Sequence, residues 1–423
     1  MRMLFVSVEI NGIQTPVGII SGTTVHDAQF TYSKDYLSMG MPAISISLPL
    51  SDRSFSPEAT KKYFEGLLPE GFARKSVANF IHTDENDYLT ILEKLGSECL
   101  GAIRISSAET IDKRYERLSL EEVKALAKEG VSKSTELVTE AHLSLTGASG
   151  KVGLYYDEKN SDWYKPLGSA PSTHIVKQSH VRLSGIVTNE QLSLLAAAEL
   201  GINVPESFII NTGAAKDEDI LFATKRYDRL ISKDSKPVNG LLCPFRLHQE
   251  DFAQALGISS MQKYESGTSR YLPELFRILR NYSSDPIADQ LKLWDIIVFD
   301  FLVGNTDNHI KNLSLLYSSD LKKISLAPAY DIISTAIYQG SSRDMAIGIG
   351  GERNLDEIGR KHFSYAASEA GLNPLIALKH FDTMAGDFER ALRIAAEKLE
   401  DEGYENVSEI KDRILVNGGY GHL

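Results

Sequence analysis

The sequence predicts an α+β chain: a β-rich N-terminal subdomain, then a small sheet, then a large helical C-terminal lobe. Three observations carry this. Apolar and polar residues alternate with period two over residues 1–50 and again between 141 and 230. Helical spacing governs 57–107 and nearly everything from about 246 onward. Glycine, proline and asparagine turn signals punctuate the boundaries between these stretches.

Taken in order, MLFVSVEI and TPVGII flank an Asn11-Gly12 turn signal and read as a hairpin. AISISLPL repeats the alternation and reads as a further strand. SPEATKKYFEGLLPEGF follows as a helix, with a serine cap and Pro57 in its first turn. GAIRIS is a short strand that closes residues 1–110. The charged segment 111–140 reads as a link plus an exposed helix capped by Ser119. Residues 141–230 form the small lobe: HLSLTGASGKVGLYYD, WYKPLG, STHIVKQ, ESFIIN and DILFATKRYD as strands, with NEQLSLLAAAELG as a helix ended by Gly201. Residues 231–423 are the helical lobe, interrupted by the hairpin-like NLSLLYSSDLKKISLA. No internal repeat or low-complexity stretch is present.

Composition narrows the function classes. With 42% hydrophobic and 24% charged residues, the chain is an ordinary globular protein of two to three domains. A net charge of −12 disfavours unaided binding to nucleic acid. The two cysteines, Cys99 and Cys243, form neither a metal motif nor a disulfide framework, which fits a reducing, cytoplasmic location. There is no run of about 18 apolar residues, so no membrane association is expected.

The polar insert within FDFLVGNTDNHIKNLSLLY is the most informative stretch. Asp307 to Asn312 has the D-x-x-x-x-N spacing of a protein-kinase catalytic loop. Such an aspartate accepts the proton of an attacking hydroxyl, and the asparagine offers a hard oxygen to magnesium. A hairpin follows, and PAYDII then presents Asp331, 24 residues beyond Asp307, where a kinase keeps its second magnesium aspartate. Either motif alone fits a helix cap or an Asx turn. Together, with a hairpin between them, they point to phosphoryl transfer, although Y-D-I stands in place of D-F-G and there is no H-R-D. The order of a small sheet before a helical lobe is also that of a bilobed protein-kinase-like fold.

Further candidates are individually weaker. SLTGASGKVGLYY has Gly147, Gly150 and Gly153 between two strands and is a candidate phosphate loop. It is no Walker motif, because Leu145 and Val152 occupy the positions that would need glycine and a hydroxyl; a plain hairpin turn is the alternative. Lys177 on the strand THIVKQ resembles a phosphate-pairing lysine, with Glu190 and Glu199 both available as its partner, or is an ordinary edge-strand lysine. Lys225, Arg226 and Tyr227 end the last strand, where backbone groups could hold adenine, or where a simple linker could run. His309 has no second histidine nearby and reads as a nucleotide contact or loop packing.

S-L-T-G-A-S-G-K, T-H-I-V-K, K-R-Y-D-R, Q-E-D, G-N-T-D-N-H-I-K-N and P-A-Y-D-I occur in an order and spacing that resemble the HipA family of bacterial toxin kinases. The resemblance runs from about residue 1 to at least 340. It implies a serine/threonine protein kinase using ATP and Mg2+, the toxin of a toxin–antitoxin pair, causing growth arrest and persistence. By the same resemblance Asp307 is the catalytic base, Asn312 and Asp331 are the magnesium ligands, and Lys177 contacts phosphate. Thr146, Gly147, Ala148, Ser149, Gly150 and Lys151 would form the nucleotide loop, and Lys225, Arg226 and Tyr227 the hinge. His309, Ile310, Lys311 and Tyr330 fall on nucleotide-contact stretches, and Ser144 on the autophosphorylated loop serine. A phosphate there would bring about two negative charges beside ATP. The loop departs from the family pattern at Thr146, Ser149 and Gly150. The implied partners are a helix-turn-helix antitoxin of the HipB type, through which any DNA contact would be indirect, and a protein substrate such as an aminoacyl-tRNA synthetase, glutamyl-tRNA synthetase in the family. A small-molecule or lipid kinase would use the same residues, and a nucleotide-binding co-repressor is a non-enzymatic alternative.

Overall fold

The computed structural model describes residues 1–107, 112–129, 135, 151–178, 183–213, 215–404 and 406–423, with the backbone alone at 127–129. Two compact units are formed. One comprises Met1–Gln178, Ala223–Ser260 and Leu316–Lys323; the other comprises Ser179–Phe222, Met261–Leu315 and Ile324–Leu423. The mixed α+β class is as the sequence predicts. Residues 141–230, expected as one lobe, are divided between the units.

In chain order the first unit begins with β1 (Arg2–Ile10), β2 (Ile13–Gly22), β3 (Gln29–Tyr32), α1 (Lys34–Ser38), α2 (Pro57–Glu65), α3 (Gly71–Phe80), α4 (Tyr88–Leu95), β4 (Ile103–Ser106), β5 (Lys113–Arg117), α5 (Leu120–Glu129), β6 (Lys151–Asp157), β7 (Asp162–Gly168) and β8 (His174–Gln178). The chain then builds α6 (Ile186–Glu199) and β9 (Ser207–Asn211) of the second unit and returns along β10 (Ile220–Lys225). Short strands β11 (Arg229–Leu230), β12 (Pro237–Val238), β13 (Leu241–Leu242), β14 (Phe245–Arg246) and β15 (Gln249–Asp251) precede α7 (Phe252–Leu256). The second unit resumes with α8 (Tyr271–Tyr282) and α9 (Pro286–Val303). A hairpin of β16 (Ser314–Tyr317) and β17 (Ile324–Leu326) leads to β18 (Asp344–Ile349), β19 (Glu352–Asn354), α10 (Arg360–Glu369), α11 (Pro374–Asp401) and α12 (Val407–Asn417).

The first sheet has the order β3-β2-β1-β4. Its β1–β2 hairpin turns at Asn11 and Gly12, both with positive φ, as a two-residue turn matched to strand twist requires. Leu4, Val6 and Val8 point into the core from alternate positions of β1. AISISLPL is not a strand: only Ser45 and Leu48 form an isolated bridge. Its polar groups are committed elsewhere, because Ser45 Oγ and the Ile46 N–H both donate to buried Glu250. Glu250 itself lies on β15 rather than in a helix, and burial pushes its carboxyl up to about 7. Helix α7 starts one residue later, with Asp251 and Gln254 as a capping box.

The larger sheet runs β5-β7-β6-β8-β10 and ends in β9. KRYER, expected within a charged link, is its edge strand β5, paired from Lys113 opposite Gly168 to Arg117 opposite Tyr164. Only Tyr115 is buried, so the pattern follows an edge strand that keeps its charges in water. Ser119 caps α5 as expected, exchanging hydrogen bonds with Glu122. The C-terminal lobe is mainly helical, but β18 and β19 pair within it, a hairpin the helical reading missed. Its core gathers around α9, where Ile296 to Val303 are all buried and Trp294 Nε1 donates to the Ala377 carbonyl at 2.9 Å.

One buried charge cluster ties the N-terminal subdomain to the rest of the first unit. Glu98 accepts from Arg226 at 3.1 Å, Arg229 at 2.8 Å and Arg246 Nε at 2.9 Å. Asp228 holds Arg226 through two contacts, at 2.7 and 2.9 Å, and the Gly101 N–H at 2.7 Å. Glu9 accepts from the Arg246 N–H at 2.8 Å. Three guanidinium groups thus face three carboxylates, all at most 8% exposed. Burial opposes the charge on Glu98, yet Arg229, Arg246 and Arg226 hold its carboxyl well below the usual carboxylate range. Removing one member strands the others in low dielectric. Glu98→Ala is therefore predicted to destabilise the first unit by about 3–5 kcal/mol, read as a drop in the urea midpoint; a shift within experimental error would contradict it.

Candidate functional site

The loop that carries Asp307 begins where α9 stops. Gly304 ends the helix with φ +75°, and the Asn305 N–H reaches back to the Asp300 carbonyl at 2.8 Å. A Cβ at Gly304 would lie 2.7 Å from the Ala336 Cβ and 2.9 Å from the Gly418 Cα, so glycine is demanded twice over. Asp300, in the last turn of an otherwise apolar helix face, is 1% exposed. Its two carboxylate oxygens accept from Asn305 Nδ2 at 2.8 Å and from Asn308 Nδ2. Burial pushes the Asp300 carboxyl up to about 7, against the lowering effect of these two donors.

This brace holds the residues on both sides of Asp307. Thr306 is fixed as well: its N–H donates to Thr335 Oγ1 at 2.8 Å and its carbonyl accepts from the Ala346 N–H at 2.9 Å. From Phe301 to Lys311 every residue is buried except Asp307, which is exposed. Its carboxylate accepts from the Tyr264 hydroxyl at 2.7 Å.

Asn312 and Asp331 are brought toward this loop by the β16–β17 hairpin. The Ala327 N–H donates to the Ser314 carbonyl at 2.9 Å, so the segments carrying 312 and 331 leave the hairpin base together. Tyr330 locks them: its hydroxyl lies 2.7 Å from Ser314 Oγ and donates to the Lys311 carbonyl at 3.0 Å. Asn312 Nδ2 donates to the Asp307 carbonyl at 3.3 Å. Asp331 takes a left-handed backbone, φ +59°, a region that few non-glycine residues adopt and aspartate more readily than most. Three residues on, buried Asn189 of α6 clamps Ser334, donating to its carbonyl and accepting its N–H, both at 3.0 Å.

In the first unit, Lys151 and Lys177 are direct cross-strand partners on β6 and β8. Residues Ser144, Thr146, Gly147, Ala148, Ser149 and Gly150 lie outside the described residues. Glu199 meets Lys398 of α11, whereas Glu190 is buried.

The other expected contacts lie as follows. Arg226 has its guanidinium in the buried cluster, its N–H on the Thr173 carbonyl at 2.8 Å and its carbonyl on the Arg229 N–H at 3.2 Å, so these groups are engaged within the fold. Lys225 reaches Glu158 at 3.1 Å, and the Tyr227 hydroxyl meets Gln249. Ile310 is fully buried and packs. His309 and Lys311 are also buried, and the His309 ring stands edge-on to Tyr264 at 5.2 Å. Tyr330 holds the hairpin base. Asp300 and Tyr264 were missed; a lone carboxylate within IIVFDFLV was the available signal for the first.

The donor set suits the groups that the sequence implies. Asn312 has its nitrogen engaged, which leaves the carboxamide oxygen, and Asp331 adds a carboxylate; both are hard oxygens of the kind magnesium takes. The opposed lysines suit phosphate.

The raised Asp300 carboxyl makes a pH prediction. A carboxyl raised on folding binds more protons in the native than in the unfolded state between about pH 4 and 7, so its contribution favours folding on the acid side and fades as pH rises through about 7. Asp300→Asn removes that proton. Its thermal midpoint should lose part of the decline that the parent shows between about pH 5 and 8; an unchanged pH profile would contradict the assignment.

The chain is similar to known proteins along most of its length. Residues 8–106 match the HipA N-terminal domain and residues 143–392 the HipA-like C-terminal domain. The Sinorhizobium fredii protein Y4mE, whose name calls it a kinase, is 31% identical over 361 residues, covering 83% of this chain and 82% of its own. The serine/threonine-protein kinase toxin HipA of Shewanella oneidensis is 26% identical over 340 residues, 77% of this chain and 74% of that protein. The solved complex of Shewanella oneidensis HipA with HipB and operator DNA contains a chain that superposes with a TM-score of 0.78 at 22% identity, covering 97% of this chain and 96% of that one. With both domains matched in sequence order and the two together covering most of its length, the chain belongs to the HipA family.

Proposed function

We propose that this chain is an ATP- and magnesium-dependent serine/threonine protein kinase, the toxin of a toxin–antitoxin pair. The observation that carries the reading is the exposure of Asp307 alone within a buried, doubly braced loop, with Asn312 bonded to its backbone and Asp331 leaving the same hairpin base. A carboxylate held rigidly and left accessible is what a base for an incoming hydroxyl requires.

In this reading Asp307 accepts the proton of a serine hydroxyl as its oxygen bonds the γ-phosphorus; the bond to the bridging oxygen breaks and ADP leaves. Asn312 and Asp331 would hold magnesium, which would supply charge neutralisation at the phosphates. Lys151 and Lys177, partners across β6 and β8, are the proposed phosphate-contacting cations of the first unit. The substrate is a protein serine, with an aminoacyl-tRNA synthetase as the first to test, and Ser144 is the autophosphorylation site. Membership of the family, and a relative solved with HipB and operator DNA, support a small helix-turn-helix antitoxin as partner. The net charge of −12 favours reaching DNA through that partner. No helix among the described residues is long and apolar enough to cross a membrane.

Incubation with radiolabelled ATP, magnesium and cell lysate tests this directly. The wild-type chain should label a discrete protein band, and Asp307→Asn should reduce labelling by about 100-fold or more while still binding MgATP. Equal labelling by the two proteins would overturn the assignment of the base.

A further inference from the structure

Tyr264 stands where an acceptor must stand. Its hydroxyl donates to Asp307 Oδ1 at 2.7 Å, the bond that a substrate hydroxyl has to make before it can surrender its proton. This contact is built into the fold. The Thr306 carbonyl accepts from the Ala346 N–H, and the Ala346 carbonyl accepts from the Glu265 N–H, both at 2.9 Å, so the neighbours 307 and 264 are brought side by side through β18. Glu265 is itself anchored, accepting from the Tyr271 N–H at 2.5 Å and the Gly348 N–H at 2.8 Å. A Cβ at Gly348 would lie 2.7 Å from the Glu265 carboxylate, so that anchor depends on a glycine. The Tyr264 ring rests on His309, centroids 5.2 Å apart at 83°. Yet the side chain is 41% exposed, so it can leave Asp307 by rotation without opening the core.

We propose that Tyr264 is a specificity-determining residue of the acceptor site: its hydroxyl occupies the acceptor's position on Asp307, and only acceptors that displace it are phosphorylated. The inference rests on the kinase reading above. A bound protein chain can replace both the hydrogen bond and the aromatic contact with His309, whereas water can replace the hydrogen bond alone. Tyr264 thereby discriminates against hydrolysis of ATP.

The test needs no identified substrate, because water is itself an acceptor. In ATP hydrolysis the water oxygen bonds the γ-phosphorus, its proton passes to Asp307, and the bond to the bridging oxygen breaks to release ADP and phosphate. Tyr264→Phe keeps the ring on His309 and removes the competing hydroxyl. It should raise kcat for hydrolysis of MgATP by about three- to tenfold, with KM for ATP unchanged. Tyr264→Leu, which also lacks the ring, should raise it at least as far. An unchanged or lower rate in both variants, with MgATP binding intact by calorimetry, overturns the inference and leaves the kinase reading standing. Phosphate found on Tyr264 by mass spectrometry of the wild-type chain would also overturn it, since the residue would then be consumed as an acceptor. Failure of the wild-type chain to bind MgATP at all would remove the kinase reading, and this inference with it.

Discussion

The site depends on one buried carboxylate. Asp300 accepts from side chains two positions before and one position after Asp307, and so pins both arms of a tight loop to the end of α9. With Asn305 and Asn308 drawn inward, the residue between Thr306 and Asn308 is directed outward. The exposure of Asp307 follows from this bracing rather than from any preference of its own. The energetic logic is that of a buried polar group made tolerable by full use of its acceptors. An asparagine pair is suited to the task, because each carboxamide can donate to Asp300 and still use its oxygen.

The second constraint is the left-handed backbone at Asp331, set between two fixed points. On one side the Tyr330 hydroxyl grips the Lys311 carbonyl; on the other Asn189 grips Ser334 through both backbone groups. A non-glycine residue persists in that region when its surroundings over-determine it. Both clamps lie within the second unit, so the geometry of Asp307, Asn312 and Asp331 is fixed by short-range packing there. The first unit solves a separate problem with its neutral cluster of three arginines and three carboxylates. That arrangement engages the Arg226 guanidinium with Glu98 and Asp228.

What was legible in the sequence follows period and spacing. The Asn11-Gly12 hairpin, the Ser56-Pro57 helix start and the strands between Lys151 and Gln178 announced themselves through local chemistry. Asp307, Asn312 and Asp331 stood out by their fixed intervals, and the structure sets them on one braced loop and the hairpin that follows it. Misreadings arose where a distant partner overrode the local pattern. AISISLPL alternates like a strand, but Glu250, about 200 residues away, takes its donors. KRYER looks like a charged linker and is an edge strand, because the alternation rests on Tyr115 alone. DMAIGI is a buried strand inside a helical lobe, where short apolar runs carry no period to separate the two states. Arg226 sits on a hinge-like segment yet serves a cluster that, besides Asp228 and Arg229, draws in the distant residues 9, 98 and 246. Tyr264 had no sequence signal, since only β18 brings it beside Asp307.

The central proposal is that Asn312 and Asp331 would hold magnesium with ATP, and that Asp307 would face the transferred phosphoryl group. A crystal structure of the chain with magnesium and a non-hydrolysable ATP analogue tests it most directly. The account predicts an ion about 2.0–2.1 Å from an oxygen of each of these two side chains, a γ-phosphate on its far side, and the Asp307 carboxylate directed at the space the acceptor would fill. An ion held by other residues, or a nucleotide seated away from 307, 312 and 331, would contradict it.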